Sequence, residues 1–125
     1  MLKPHAAYVA IVDDDASVRK ALARLLSACA ITSQTYGSAR EFLDSLPAGV
    51  PECLIVDLHM PEMTGLELQG ELARTGARIP TIVITAQSET GYREQCRAAG
   101  AAAYLLKPLD KNTLIAAIKM AVEKG

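Results

Sequence analysis

The chain has 125 residues, half of them apolar, with a formal net charge of −1. Such a chain is long and apolar enough for one domain with a single core, here taken as 1–125, and its balanced charge gives no support for general affinity to nucleic acid or anionic lipid. No apolar run approaches the length of a bilayer crossing. The N-terminal MLKPHAAYVAIVDDD is a poor signal peptide because its short apolar run ends in three acids, so a cytoplasmic protein with no membrane partner is expected.

Taken in chain order, short apolar runs alternate with amphipathic stretches. YVAIV at 8–12 reads as a buried strand. A helix follows, with Val18, Leu22, Leu25, Leu26 and Cys29 at helical spacing. ITSQTY at 31–36 alternates with polar residues and suits a sheet edge. SAREFLDSL at 38–46 reads as a short helix with Ser38 as N-cap. CLIV at 53–56 is a third strand, apolar throughout. A helix over 65–74 carries Leu66, Leu68 and Leu72, and TIVIT at 81–85 is the fourth strand. A helix is expected over 88–99, capped by Ser88 and closed by Gly100, although Gly91 interrupts it. AAYLL at 102–106 is the fifth strand. The last helix starts near Asp110, with Leu114, Ile118, Ala121 and Val122 facing inward. Five strands alternating with helices give an α/β fold with a parallel sheet and helices on both faces, and ligands of such sheets sit beyond the carboxyl ends of the strands.

Three cysteines, Cys29, Cys53 and Cys96, form no CxxC pair, so neither a disulfide framework nor a zinc site is expected. Cys29 and Cys53 lie on apolar faces and read as small buried hydrophobes. Aromatics are few and Trp is absent, which argues against base-stacking platforms.

The residues at the strand ends carry the chemistry. The first strand ends in Asp13, Asp14 and Asp15, the third in Asp57, the fourth in Thr85 and the fifth in Lys107. A parallel sheet brings these ends to one edge. Carboxylates held close repel each other, and a hard cation with oxygen ligands relieves that repulsion; Mg²⁺ suits, because it takes one or two carboxylates and keeps waters to share with a phosphate. A carboxylate beside such an ion is a nucleophile toward phosphorus. A lysine neutralises phosphoryl oxygens, and a threonine donates a hydrogen bond to one.

At these residues the chain resembles the receiver domains of two-component response regulators. VDDD, LIVDLHMPEMTGLEL, IPTIVITA and GAAAYLLKPL match in order and cover nearly the whole sequence. YGSAREFLDSL and YLLKPLD look most like the FixJ/NarL-type subgroup. The resemblance implies a doubly wound, flavodoxin-like sheet in the order 2-1-3-4-5. It implies Asp57 as phosphoacceptor, charged by a sensor histidine kinase or a small phosphodonor. Asp14 would bind Mg²⁺ directly and Asp13 through water, with Asp57 and the backbone carbonyl of His59 completing the ligands. Lys107 would pair with the phosphate, and the peptide before Pro108 would be cis. Thr85 and Tyr104 would form the switch, coupling the site to the surface of the fourth helix, fifth strand and fifth helix. His59 and Gln87 would tune the lifetime of the phosphoryl group. A homodimer formed on phosphorylation would use that same surface, or else the first helix. A subgroup relative often carries a DNA-binding domain next, but nothing in these residues binds nucleic acid directly.

Blander readings exist for each residue. Asp57 alone would be a strand-end cap, and Lys107 a solvated loop charge; their company makes the functional reading the better one. Asp15 is assigned to starting the first helix, not to the metal. Thr85 suits a strand and Tyr104 suits a core for ordinary reasons. The His59 side chain reads as a loop group rather than a metal ligand, and His5 as a terminal surface residue. As whole functions, the alternatives are a pseudo-receiver used only for protein binding, a phosphatase with an aspartate nucleophile, and a flavin carrier. The intact acid, threonine and lysine set argues against the first. His59 stands where a haloacid dehalogenase-type phosphatase needs a second Asp, and DDDAS would repel a flavin phosphate. A phosphoacceptor signalling domain, not an enzyme, is therefore expected.

Overall fold

The computed structural model describes residues 6–86 and 91–124. The strands are β1 Ala6–Val12, β2 Ser33–Tyr36, β3 Pro51–Asp57, β4 Thr81–Thr85 and β5 Ala103–Leu106. The helices are α1 Ala16–Ala28, α2 Ala39–Ser45, α3 Gly65–Thr75, α4 Tyr92–Ala98 and α5 Lys111–Lys124, with a short 3-10 turn over Leu46–Ala48. All strand pairs are parallel, in the order β2-β1-β3-β4-β5. The doubly wound fold expected from the sequence is the one observed. Among the described residues no helix is long and apolar enough to cross a membrane.

Side-chain alternation along each strand divides the core into two layers. Val9, Ile11, Cys53, Ile55, Ile82 and Ile84 face α1 and α5, where Leu22, Leu26, Leu114 and Ile118 meet them. Ala10, Val12, Leu54, Val56 and Val83 face the other way, against Phe42 of α2, Leu68 and Leu72 of α3 and Cys96 of α4. Both faces of the central strands are thus covered, which is why their runs at 8–12, 53–56 and 82–84 are apolar at every position. The register sets Val12 beside Val56 and Asp57 beside Ile84, so the ends of β1, β3 and β4 arrive together at one edge.

Helix starts follow local chemistry. Asp15 caps α1 through its side chain, which accepts from the amides of Ser17 and Val18. Ser38 caps α2 as expected. Thr64 and Glu67 form a reciprocal capping box at the head of α3. Asp110 caps α5, its carboxylate accepting from the Thr113 amide at 2.9 Å.

Three expectations need correction. α4 begins at Tyr92, because Gly91 has a φ of 103° and stands outside the helix as its N-cap; Ser88, expected there, lies outside the described residues, as do Gln87 and His5. β5 spans Ala103–Leu106 rather than 102–106 and is only partly buried, with Leu106 44% exposed, because an edge strand has a neighbour on one side alone. Cys29 is half-buried rather than buried, at the C-cap of α1, while Cys53 and Cys96 are buried and all three thiols are free.

Candidate functional site

Asp13 follows the last residue of β1 and is completely buried. Every polar group it has is held. Its amide donates to the carbonyl of Tyr36 at 3.2 Å, and its carbonyl accepts from Nη1 of Arg19 at 2.7 Å. Its Oδ1 accepts from the amide of Asp15 at 2.9 Å, and its Oδ2 from Nζ of Lys107 at 3.0 Å. Asp14, the next residue, is exposed.

Asp57 is the last residue of β3 and is 6% exposed. The parallel ladder runs on past it, with the Leu58 amide donating to the carbonyl of Ile84 at 2.8 Å. That bond and the flanking apolar run anchor the backbone on both sides of the carboxylate. Lys107, just beyond β5, sets its ammonium 3.4 Å from Oδ1 of Asp57. One carboxylate oxygen each from Asp13, Asp14 and Asp57 lies within 4.8 Å of the others.

The electrostatics follow from this crowding. Burial raises the Asp57 pKa above the usual carboxylate value, and the charge of Asp13 adds to the rise; Lys107 opposes both, and Asp14 raises it further. Burial pulls the Lys107 ammonium down, but its hydrogen bond to Asp13 and the charges of Asp57 and Asp13 outweigh that, and its pKa ends above the ordinary lysine value. One ammonium therefore serves two buried acids with a third beside them. The set is short of positive charge and rich in oxygen donors, which fits a hard divalent cation such as Mg²⁺.

Thr85 ends β4, is fully buried, and accepts the Lys107 amide on its carbonyl at 2.8 Å. The Lys107–Pro108 peptide is cis, as the resemblance implied. Tyr104 on β5 is half-buried, with the Arg93 guanidinium 5.3 Å from its ring centre. The His59 ring is exposed and meets Tyr92 edge-on, with centroids 5.4 Å apart. Asp13, Asp14, Asp57 and Lys107 thus come together, with Thr85 on the adjoining strand end. Tyr104 and the His59 ring belong to the flank of the site.

Sequence reasoning missed two participants. Arg19 reaches back from the second turn of α1 to the Asp13 carbonyl; the signal available was an arginine four residues after the cap Asp15. Gly65 opens α3, as the helix expected over 65–74 requires, but it packs so closely that a Cβ would sit 2.8 Å from the Asp57 carbonyl oxygen, an approach the sequence does not announce. The turn before it is carried by Glu62, with a φ of 70°.

Comparison with known proteins agrees with this geometry. The family described as response regulator receiver domain matches residues 9–119. FixJ of Azorhizobium caulinodans, a transcriptional regulatory protein, is 37% identical over 125 residues, covering 98% of this chain and 58% of that protein. Nodulation protein W of Bradyrhizobium diazoefficiens is 36% identical over 118 residues, covering 94% of this chain and 52% of that protein. The chain spans about half the length of these curated relatives. Among solved structures, the crystal structure of FixJ-N superposes with a TM-score of 0.88 at 34% identity, covering 98% of this chain and 96% of that one. A response regulator receiver protein from Burkholderia phymatum gives 0.84 at 43% identity, with 94% and 96% covered. With the family model matched over residues 9–119 and relatives more than 30% identical across nearly its whole length, the chain belongs to the response regulator receiver domains of two-component systems.

Proposed function

We propose that the chain is a phosphorylation-dependent signalling switch in which Asp57 accepts a phosphoryl group from a sensor histidine kinase or a small phosphodonor. One observation carries this reading: Asp13, Asp14 and Asp57 offer oxygens within 4.8 Å of each other, with the Lys107 ammonium 3.4 Å from Asp57. Structural carboxylates have no reason to be gathered in this way, since each raises the cost of ionising the next.

In the reaction, an oxygen of ionised Asp57 attacks phosphorus, and the bond to the donor, a histidine nitrogen or the acyl oxygen of acetyl phosphate, breaks. Asp13, Asp14, Asp57 and the backbone carbonyl of His59 would hold Mg²⁺. Bound there, the ion supplies positive charge to the phosphoryl oxygens and favours the ionised form of Asp57. Lys107 already faces Asp57 and keeps its charge, so it pairs with the phosphoryl oxygens as they arrive. The buried Thr85 hydroxyl turns toward the phosphoryl group. Tyr104 follows on β5 and alters the surface of α4, β5 and α5, the route of output and of any phosphorylation-linked homodimer. His59 and Gln87 flank the acyl phosphate and set its lifetime. The whole of 1–125 acts as one receiver unit, a phosphoacceptor rather than an enzyme with a separate substrate. The rival reading, a receiver-like fold used only for protein binding, leaves this set of acids and lysine without a purpose.

The test is incubation with acetyl phosphate and Mg²⁺ followed by mass spectrometry. The expected result is a labile phosphoryl group on Asp57, released by base and by hydroxylamine, that requires the metal and is missing from Asp57→Asn. An adduct on a serine or histidine, or no adduct with any donor, would sink the reading.

A further inference from the structure

We propose that Arg19 is a positioning residue for the divalent-ion site: by holding the Asp13 carbonyl it fixes the peptide plane from which Asp14 projects. The inference rests on the metal-dependent phosphoacceptor reading and adds to it a residue outside the set of acids, lysine and threonine.

The three acids are not held alike. Asp13 has hydrogen bonds to both carboxylate oxygens, and Asp57 sits in a strand with Lys107 beside it. Asp14 is exposed, and among the described residues no hydrogen bond holds its carboxylate. Its direction is therefore set by its own backbone. The peptide group is planar, so the Asp13 carbonyl and the Asp14 nitrogen and Cα move as one plate. Asp13 Oδ1 holds the following plate through the Asp15 amide at 2.9 Å. The first plate, which carries the Asp13 carbonyl, is held by Nη1 of Arg19, at 2.7 Å from that oxygen.

Arg19 is well placed to be a rigid holder. Its own amide bonds to the Asp15 carbonyl at 3.1 Å, so its stem starts from a formed helical turn. Its guanidinium lies against Gly37, where an added Cβ would be 3.4 Å from Nη1 and 3.7 Å from Cζ. The Gly37 amide in turn donates to Glu41 Oε2 at 2.9 Å, which anchors that loop to α2. The arm is thus braced from behind by the loop between β2 and α2. A guanidinium donating to a carbonyl is a charge-assisted bond, stronger than its neutral counterpart. Partners that orient a metal ligand in this way typically contribute about 10–100-fold to metal affinity.

The experiment is a Mg²⁺ titration followed by backbone amide chemical shifts in the wild-type chain, Arg19→Met and Arg19→Lys. Methionine keeps the stem and the helix propensity but has no donor; lysine keeps a donor. Arg19→Met is expected to weaken Mg²⁺ binding about tenfold. Its phosphorylation by acetyl phosphate should return to the wild-type rate once Mg²⁺ is saturating, and Arg19→Lys should recover most of the affinity. The metal-free melting temperature of each variant reports separately on the packing of α1. Wild-type affinity in Arg19→Met, or a loss in Arg19→Lys as large as in Arg19→Met, overturns the inference while leaving the phosphoacceptor reading intact. A wild-type chain that binds no Mg²⁺ overturns that reading and this inference together.

Discussion

Asp57 is ionised at a cost to the fold. Burial and the charges of Asp13 and Asp14 raise its pKa, and Lys107 only partly offsets them. For an acid whose folded pKa lies above its unfolded one, the native state holds the proton more tightly. Stability then falls as pH rises from the ordinary carboxylate value through the raised one, and is level beyond it. Asparagine has the same shape without the charge. Asp57→Asn is therefore expected to be more stable than the wild-type chain at pH 7 without metal, by on the order of 1 kcal/mol. The difference should shrink as the pH is lowered toward the ordinary carboxylate range. Urea denaturation at the two pH values checks this, and equal stability at pH 7 would mean that Lys107 already cancels the repulsion. The proposed phosphoacceptor is then a residue that the fold, left to itself, is better off without, as expected of a site held for function rather than stability.

At the scale of elements, the head of α3 sets how close the helix comes to Asp57. The Gly65 amide donates to the Leu58 carbonyl at 2.9 Å, and a Cβ there would lie 2.8 Å from the Asp57 carbonyl oxygen and 3.1 Å from the Leu58 Cα. Both are backbone atoms that cannot swing aside. Gly65→Ala is expected to cost about 1–3 kcal/mol and to move the strand end that carries Asp57. A denaturation midpoint unchanged from wild type would show that the loop yields freely. The same segment shows what a sequence can and cannot convey. β1, β3 and β4 were legible because strands covered on both faces must be apolar at every residue, and a parallel sheet then dictates where Asp13, Asp57 and Thr85 meet. The role of Gly65 was not, since a glycine needed for close packing looks the same as one needed for a turn. Among the described residues two positions of positive φ fall on side-chain-bearing residues, Ala30 and Glu62, with φ of 61° and 70°, although side chains cost about 1–2 kcal/mol there, so no residue type marks those two. α4 was misplaced at its start because its apolar stripe is thin and Gly91 lies just outside the helix. Arg19 was missed because its partner is a backbone carbonyl, which every residue has.

At the scale of the whole molecule, the topology concentrates like charges at one edge and the two-layer core supplies the stability that tolerates them. Phe42, Leu54, Ile55, Ile82 and Leu114 are fully buried, and the sheet is paired without a break from β2 to β5. A cation that binds the acids only when they are gathered is then a ligand of the folded state, and it stabilises that state by mass action. At ten times its dissociation constant the gain is about 1.4 kcal/mol. For a chain of this size that amounts to a rise of roughly 5 °C in melting temperature. The rise should saturate with Mg²⁺ and be largely lost in Asp14→Asn, in which a charged ligand is gone while the buried Asp13–Lys107 pair remains. Simple screening makes a different prediction, because any salt weakens repulsion among exposed charges. Thermal melts in MgCl₂ and in KCl of equal ionic strength separate the two. A shift of the same size in KCl, or an undiminished one in Asp14→Asn, would mean that the acid edge is merely screened and that the fold holds no specific place for the ion.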